Sequence, residues 1–177
     1  SLASEGMTTT VLSLGRSIAQ SGKRVVVVDA DLRRPAVATG LGISPQAGLV
    51  EYLAGEVGLD DVLVTDEASG MDVLPTLTGA ANAPDLLGSE TMRTLLEKLK
   101  TDYDLVLVDS PPVLVVSDAT VLGRICDKLV FVVRWEQTPR PVAQDAVHRM
   151  AQFEIDVAGV VLGRVDMRRD ADQSYGS

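Results

Sequence analysis

Three short stretches of the chain carry residues whose types and spacing can hold a phosphate and a divalent cation. The first, "SLASEGMTTT", has the spacing of a phosphate-binding loop, with Ser1, Gly6 and Thr8 in the places of a small residue, the last glycine and the hydroxyl. A lysine normally precedes that hydroxyl, and here the position holds Met7. Backbone N–H groups from Ser4, Glu5, Gly6, Met7, Thr8 and Thr9, leading into a helix N-terminus, make a site for an anion, and the Thr8 hydroxyl is placed to serve Mg²⁺. The second stretch, "VVVVDADLRRP", sets Asp29 and Asp31 directly behind an apolar run, and the third, "LVLVDSPP", does the same with Asp109. A strand-end acid beside a phosphate loop is where Mg²⁺ and its waters are held, commonly by only one or two carboxylates. Each stretch alone has an ordinary explanation as a helix or loop cap. All three, in this order in one chain, point to a Mg-nucleotide site.

The elements that must position these residues follow from periodicity. Residues 8–21 place Val11, Leu14, Ile18 and Ala19 on one helical face with Gly15, and Gly22 follows as a stop. "KRVVVVDAD" is a continuous β-branched run, suited to a strand buried on both faces. A helix in "GLVEYLAGE", a strand in "MDVLPT" and a helix over 85–100, with Pro84 in its first turn, come next. "YDLVLVDSPP", "KLVFVVRW" and "VAGVVLGRVD" read as strands, and "DATVLGRICD" and "RPVAQDAVHRMAQF" as helices between them. Strands alternating with helices predict an α/β fold, doubly wound, with a mainly parallel sheet flanked by helices. Ligands of such sheets lie beyond the carboxyl ends of the strands, where all three acidic positions fall.

Composition narrows the function classes. The chain has 177 residues, 46% of them hydrophobic and 23% charged, which suits one folded domain with a single core. Its net charge of −9 and lack of any basic block argue against nucleic-acid binding. Cys126 is the sole cysteine and reads as a buried structural thiol compatible with a reducing compartment. His148 has no neighbouring ligand type and reads as a surface residue. No apolar run approaches the roughly 20 residues of a membrane-spanning helix, and no signal peptide is visible. The chain begins inside a motif that normally follows a strand, so an N-terminal strand and helix are expected to be missing. Residues 1–167 are then the nucleotide-binding domain, and residues 168–177 a tail flexible by composition.

"SEGMTTT", "VVVVDADLRRP" and "LVLVDSPP" resemble the Walker A, Walker A′ and Walker B motifs of the bacterial tyrosine kinases, the cytoplasmic kinase domains of polysaccharide co-polymerases. The similarity runs on through "GLVEYLAGE", "VLPTLTGAANAPDLLGSE", "DSPPVLVVSDA" and "GVVLGRVD". The resemblance implies a P-loop NTPase fold that moves the γ-phosphoryl group of ATP onto tyrosines of the kinase's own C-terminal tail, the tail usually being that of a neighbouring subunit in a ring. It implies that Thr8 and Asp109 hold Mg²⁺ with Asp31 touching it, that Asp31 is the base or tyrosine-orienting acid, and that Asp29 supports metal and nucleotide. Arg33 completes the D-x-D-x-R signature ahead of Pro35. Arg164 and Asp166, after the last strand, are candidates for the base of ATP or ADP, and Tyr175 in "DQSYGS" is the candidate phosphoacceptor. The implied partners are further copies of the chain, a transmembrane co-polymerase or activator and a tyrosine phosphatase. The implied location is the cytoplasmic face of the inner membrane, and the implied role is control of exopolysaccharide or capsule synthesis and export. Ser4 stands where many members have glycine, and the tail carries one tyrosine rather than a cluster.

Methionine matches lysine in length but has no charge, so Met7 preserves packing while removing the cation from the β- and γ-phosphates. It reads as an inactivating replacement, engineered ahead of natural. Two other classes stay open: a spatial-organisation ATPase of the partition or septum-placement type, and a non-catalytic nucleotide-dependent interaction module.

Overall fold

A computed structural model of the chain describes residues 6–112 and 118–165. Its elements alternate as the periodicity requires: α1 (Met7–Gln20), β1 (Val25–Asp29), α2 (Val37–Leu41), α3 (Leu49–Leu53), β2 (Val64–Asp66), β3 (Met71–Leu74), α4 (Ala83–Leu87), α5 (Glu90–Asp102), β4 (Leu105–Asp109), α6 (Asp118–Ile125), β5 (Leu129–Arg134), α7 (Arg140–Gln152) and β6 (Val157–Gly163). Among the described residues, a four-stranded sheet has the order β2-β3-β1-β4, and β5 pairs with β6 in a second sheet. β1 lies parallel to both β3 and β4, and β5 is parallel to β6. The expected α/β fold with a mainly parallel sheet is therefore present.

β1 is central because its side chains are apolar in both directions. All five of its residues are buried. Val26 and Val28 join a core with Leu49, Leu87, Leu95 and Leu99 from α3, α4 and α5, while Val25 and Val27 join Leu12, Val37 and Met71 on the opposite face. A strand sandwiched in this way can place a polar side chain only at its end, and that end carries Asp29, itself buried.

Three details depart from the periodicity. Residues 85–100 do not form one helix: α4 stops at Gly88, and the Ser89 hydroxyl then accepts the Met92 N–H at 3.1 Å to start α5. The buried stripe of Met92, Leu95, Leu96 and Leu99 is as read from the sequence. On α1 the buried positions are Leu12 and Gly15, with Val11, Ile18 and Ala19 partly buried, whereas Leu14 lies 43% exposed. The stripe is narrowed because α1 sits close to the sheet: a Cβ on Gly15 would meet Met71 Sδ at 2.4 Å and Val27 Cγ2 at 3.2 Å. Finally, β2 is antiparallel to β3, a three-residue edge strand too short to leave a periodic signal.

Gly48 permits another close approach. A Cβ there would lie 2.2 Å from the Pro75 carbonyl oxygen, which accepts the Leu49 N–H at 2.8 Å. Gly48→Ala is expected to destabilise the fold by about 3 kcal/mol, because backbone rather than a flexible side chain must move. Urea denaturation checks this through a lower midpoint at an unchanged slope.

Candidate functional site

The register of the central strands brings the two acidic clusters together. Val25 to Asp29 pair one-to-one with Leu105 to Asp109, so the two aspartates stand side by side at the carboxyl edge of the sheet. The Ala30 N–H donates to the Asp109 carbonyl at 2.8 Å and closes that edge.

α1 delivers the loop residues to the same place. Gly6 is its N-cap with φ 88°, a left-handed conformation that glycine adopts at no steric cost. The first bond of the helix runs from Thr10 N–H to Gly6 O at 2.9 Å. The N–H groups of the turn before it have no acceptor within the helix, which is the arrangement that binds anions. Thr8 Oγ1 donates to Asp109 Oδ2 at 2.6 Å, joining the loop to the end of β4 across 101 residues.

Burial sets the electrostatics. Asp29 is fully buried; its Oδ2 accepts the Ala36 and Val37 N–H groups at 3.1 and 3.0 Å, while Oδ1 has no hydrogen-bond partner. Desolvation, opposed by the Val37 N–H and reinforced by the Asp109 charge, pushes the Asp29 carboxyl up to about 7. Asp109 rises to about 6, again mainly through burial, with the Thr8 hydroxyl pulling it down and Asp31 pushing it up. Asp31 is half-buried and turns the chain, its Oδ1 accepting the Arg33 and Arg34 N–H groups at 3.2 and 3.0 Å.

Both buried acids are raised above their unfolded value of 3.8. The folded state therefore holds more protons between about pH 4 and 7, and their contribution to stability, complete below about 4, is lost as pH rises through 6 and 7. Asp29→Asn is expected to flatten that decline, so that stability measured by denaturation from pH 5 to 8 falls less in the variant than in the parent.

The donor set consists of hard oxygens, the chemistry of Mg²⁺. Among the described residues no cluster of three or more His, Cys, Asp or Glu side chains could hold a metal by itself. The buried, unpartnered Asp29 Oδ1 and the raised acids are what a nearby cation or its waters would relieve.

Of the remaining candidates, Thr9 is exposed and lines an open groove of about 480 Å³ beside α1, together with Thr8, Arg16 and Thr39. Arg33 is exposed. A Cβ on Gly6 would lie 3.9 Å from Arg164 Nε, so Arg164 reaches the phosphate loop. Ser4, Glu5, Asp166 and Tyr175 lie outside the described residues. Cys126 is half-buried rather than buried, its thiol pushed up to about 11 chiefly by desolvation and next by Asp127, away from the thiolate form. His148 is exposed, as expected.

Two supports escaped the motif search. Thr76 is buried, and its hydroxyl donates to the Asp29 carbonyl at 2.7 Å; Ala80 N–H donates to Leu32 O at 2.8 Å. The loop after β3 thus clamps the loop after β1. Arg16 Nε and Nη2 bind Asp66 at 2.8 and 2.9 Å, tying α1 to β2. The only sequence signal for Thr76 was a hydroxyl just behind a strand; its partner lies 47 residues away.

Comparison with known proteins agrees with this geometry. A family model described as an AAA domain matches residues 4–153. The chain is 30% identical over 171 residues to the tyrosine-protein kinase YwqD of Bacillus subtilis, covering 97% of this chain and 72% of that protein. It is 36% identical over 170 residues to the tyrosine-protein kinase Etk of Escherichia coli K12, and 32% over 170 residues to the succinoglycan biosynthesis transport protein ExoP of Rhizobium meliloti. These matches cover 96% and 94% of the chain but only 23% and 22% of the two longer proteins. In structure it is similar to the kinase domain of VpsO, with a TM-score of 0.89 at 37% identity over 93% of this chain and 81% of that one. It shares its fold with the septum site-determining protein MinD of Pyrococcus horikoshii, solved with Mg-ADP, at a TM-score of 0.78 and 21% identity over 98% of this chain and 73% of that one. With its loop, its paired strand-end acids and these likenesses in agreement, the chain belongs to the bacterial tyrosine-protein kinases, built on the α/β fold of the P-loop ATPases.

Proposed function

We propose that this chain is the nucleotide-binding unit of an ATP-dependent protein-tyrosine autokinase whose transfer step is suppressed by Met7. The observation that carries the reading is the Thr8–Asp109 hydrogen bond of 2.6 Å at the edge where Asp29 and Asp109 pair, because it puts a hydroxyl, two carboxylates and a helix N-terminus at one point. Amides of the loop from Ser4 to Thr9 hold the phosphates. Thr8 and Asp109 hold Mg²⁺ with Asp31 beside them, and Asp29 supports both from behind. Mg-ATP supplies the transferable phosphoryl group. Asp31 orients the acceptor tyrosine and takes its proton, Arg33 offsets charge at the D-x-D turn, and Tyr175 is the acceptor.

The kinases and the succinoglycan transport protein among its relatives support a role in regulating synthesis and export of an exopolysaccharide or capsule. That role calls for copies of the chain acting on one another, a membrane-embedded co-polymerase or activator and a tyrosine phosphatase, at the inner face of the cell membrane. Among the described residues no helix is long and apolar enough to cross a membrane.

Intact-mass phosphate counting with Mg-ATP, on this chain and on its Met7→Lys form, tests the reading. Phosphate on the lysine form, mapping to Tyr175, supports it. A lysine form that binds ATP and releases inorganic phosphate without modifying itself points instead to an ATPase of the spatial-organisation type.

A further inference from the structure

Arg164 follows β6 as the chain leaves the second sheet, and its sequence position suggested contact with the nucleotide base. The geometry points to a different role: we propose that Arg164 is the phosphate-binding cation of this site, supplying to the phosphate chain the charge that Met7 does not. The inference rests on the nucleotide reading above.

Three observations carry it. First, Arg164 Nε lies 3.9 Å from where a Cβ on Gly6 would stand, which brings the guanidinium beside the glycine that caps α1. Gly6 caps the helix end whose amides face the anion, so this is the phosphate end of the site. Second, that end is strongly acidic: Asp29, Asp31 and Asp109 act on one another, and the chain carries a net −9. A polyphosphate entering there without a lysine is held more tightly by a further cation beside Mg²⁺. Arg16 is committed to Asp66 by two bonds, whereas none of the described ion pairs involves Arg164. Arg164 is exposed and carries a fork of donors matched to phosphate oxygens. Third, its backbone is left-handed at φ 58°, a conformation that Gly or Asn adopts more cheaply. Among the described non-glycine residues it shares that conformation only with Glu136 and Glu154, and it is the only cation of the three.

The test separates phosphate from base. Tripolyphosphate, which has no base, is titrated against a fluorescent ADP analogue bound to the chain, its Arg164→Asn form and its Arg164→Lys form. Arg164→Asn removes the charge but relaxes the backbone. The expected result is that it weakens tripolyphosphate and the ADP analogue by a similar factor of about ten, flattens the salt dependence of both, and leaves the melting temperature equal or higher. Arg164→Lys recovers part of the loss. Weakening of the ADP analogue alone would assign Arg164 to the base and overturn the proposal. Unchanged binding of both ligands, or a loss that follows a fall in melting temperature, overturns it equally. If the parent chain binds neither ligand, the nucleotide reading fails along with it.

Discussion

Met7→Lys is expected to raise the rate of phosphate incorporation by about 10²–10³-fold, the usual effect of one well-placed donor at a developing charge. Phosphoryl transfer asks the protein mainly for positioning and charge neutralisation. The positioning parts are in place: the Gly6 cap, the Thr8–Asp109 bond and the paired ends of β1 and β4. What Met7 lacks is a charge that follows the terminal phosphate as its bond to the leaving oxygen lengthens. Binding of ADP should improve far less than the rate, because amides and Mg²⁺ supply much of the ground-state grip. Single-turnover kinetics separate the two effects. An equal gain in ADP affinity and rate would mean that position 7 serves uniform binding only.

The second large effect concerns the metal. Asp109→Asn keeps the shape of the side chain and its capacity to accept from Thr8, but removes the charge. ADP affinity of the parent chain is expected to rise strongly when Mg²⁺ is added. In Asp109→Asn that enhancement should shrink by about tenfold or more, the size of effect seen when a charged partner is removed from a buried site. In chelator the order should reverse, with the variant binding ADP no worse than the parent, since one less carboxylate faces the phosphates. Protons compete with the cation for the same oxygens, and Asp109 and Asp29 stand at about 6 and 7. The Mg²⁺-dependent part of binding should therefore fade as pH drops through that range, and calorimetry in buffers of different ionisation enthalpy should detect proton release on binding. A variant whose Mg²⁺ response matched the parent's would remove Asp109 from the metal site.

How much of this was legible beforehand differs from element to element. A continuous β-branched run marked β1 and continuous apolar runs marked β4 and β5, and the acid closing β1 and β4 marked the sheet edge, because an apolar strand inside a sheet places polar groups at its ends. The stripe on α5 was equally plain. The split between α4 and α5 was not, since Ser89 reads as one more polar position of a longer helix until its hydroxyl is seen capping Met92. Nor was the exposure of Leu14, which depends on how closely Gly15 lets α1 approach Met71.

The same division holds at the site. Residue types and their order along the chain determined by themselves the α/β fold and pointed to one nucleotide site made of a phosphate loop, a D-x-D turn and a third acid, with Met7 in the place of a lysine. These are local properties, set by backbone donors, charge and strand ends. Only the tertiary structure decided that Asp29 and Asp109 share a register, that Thr76 clamps Asp29 from 47 residues away, that Asp29 Oδ1 is buried without a partner, and that Arg164 reaches Gly6. Each of those depends on which strands pair and how near two distant segments come, and no local pattern encodes either distance or burial.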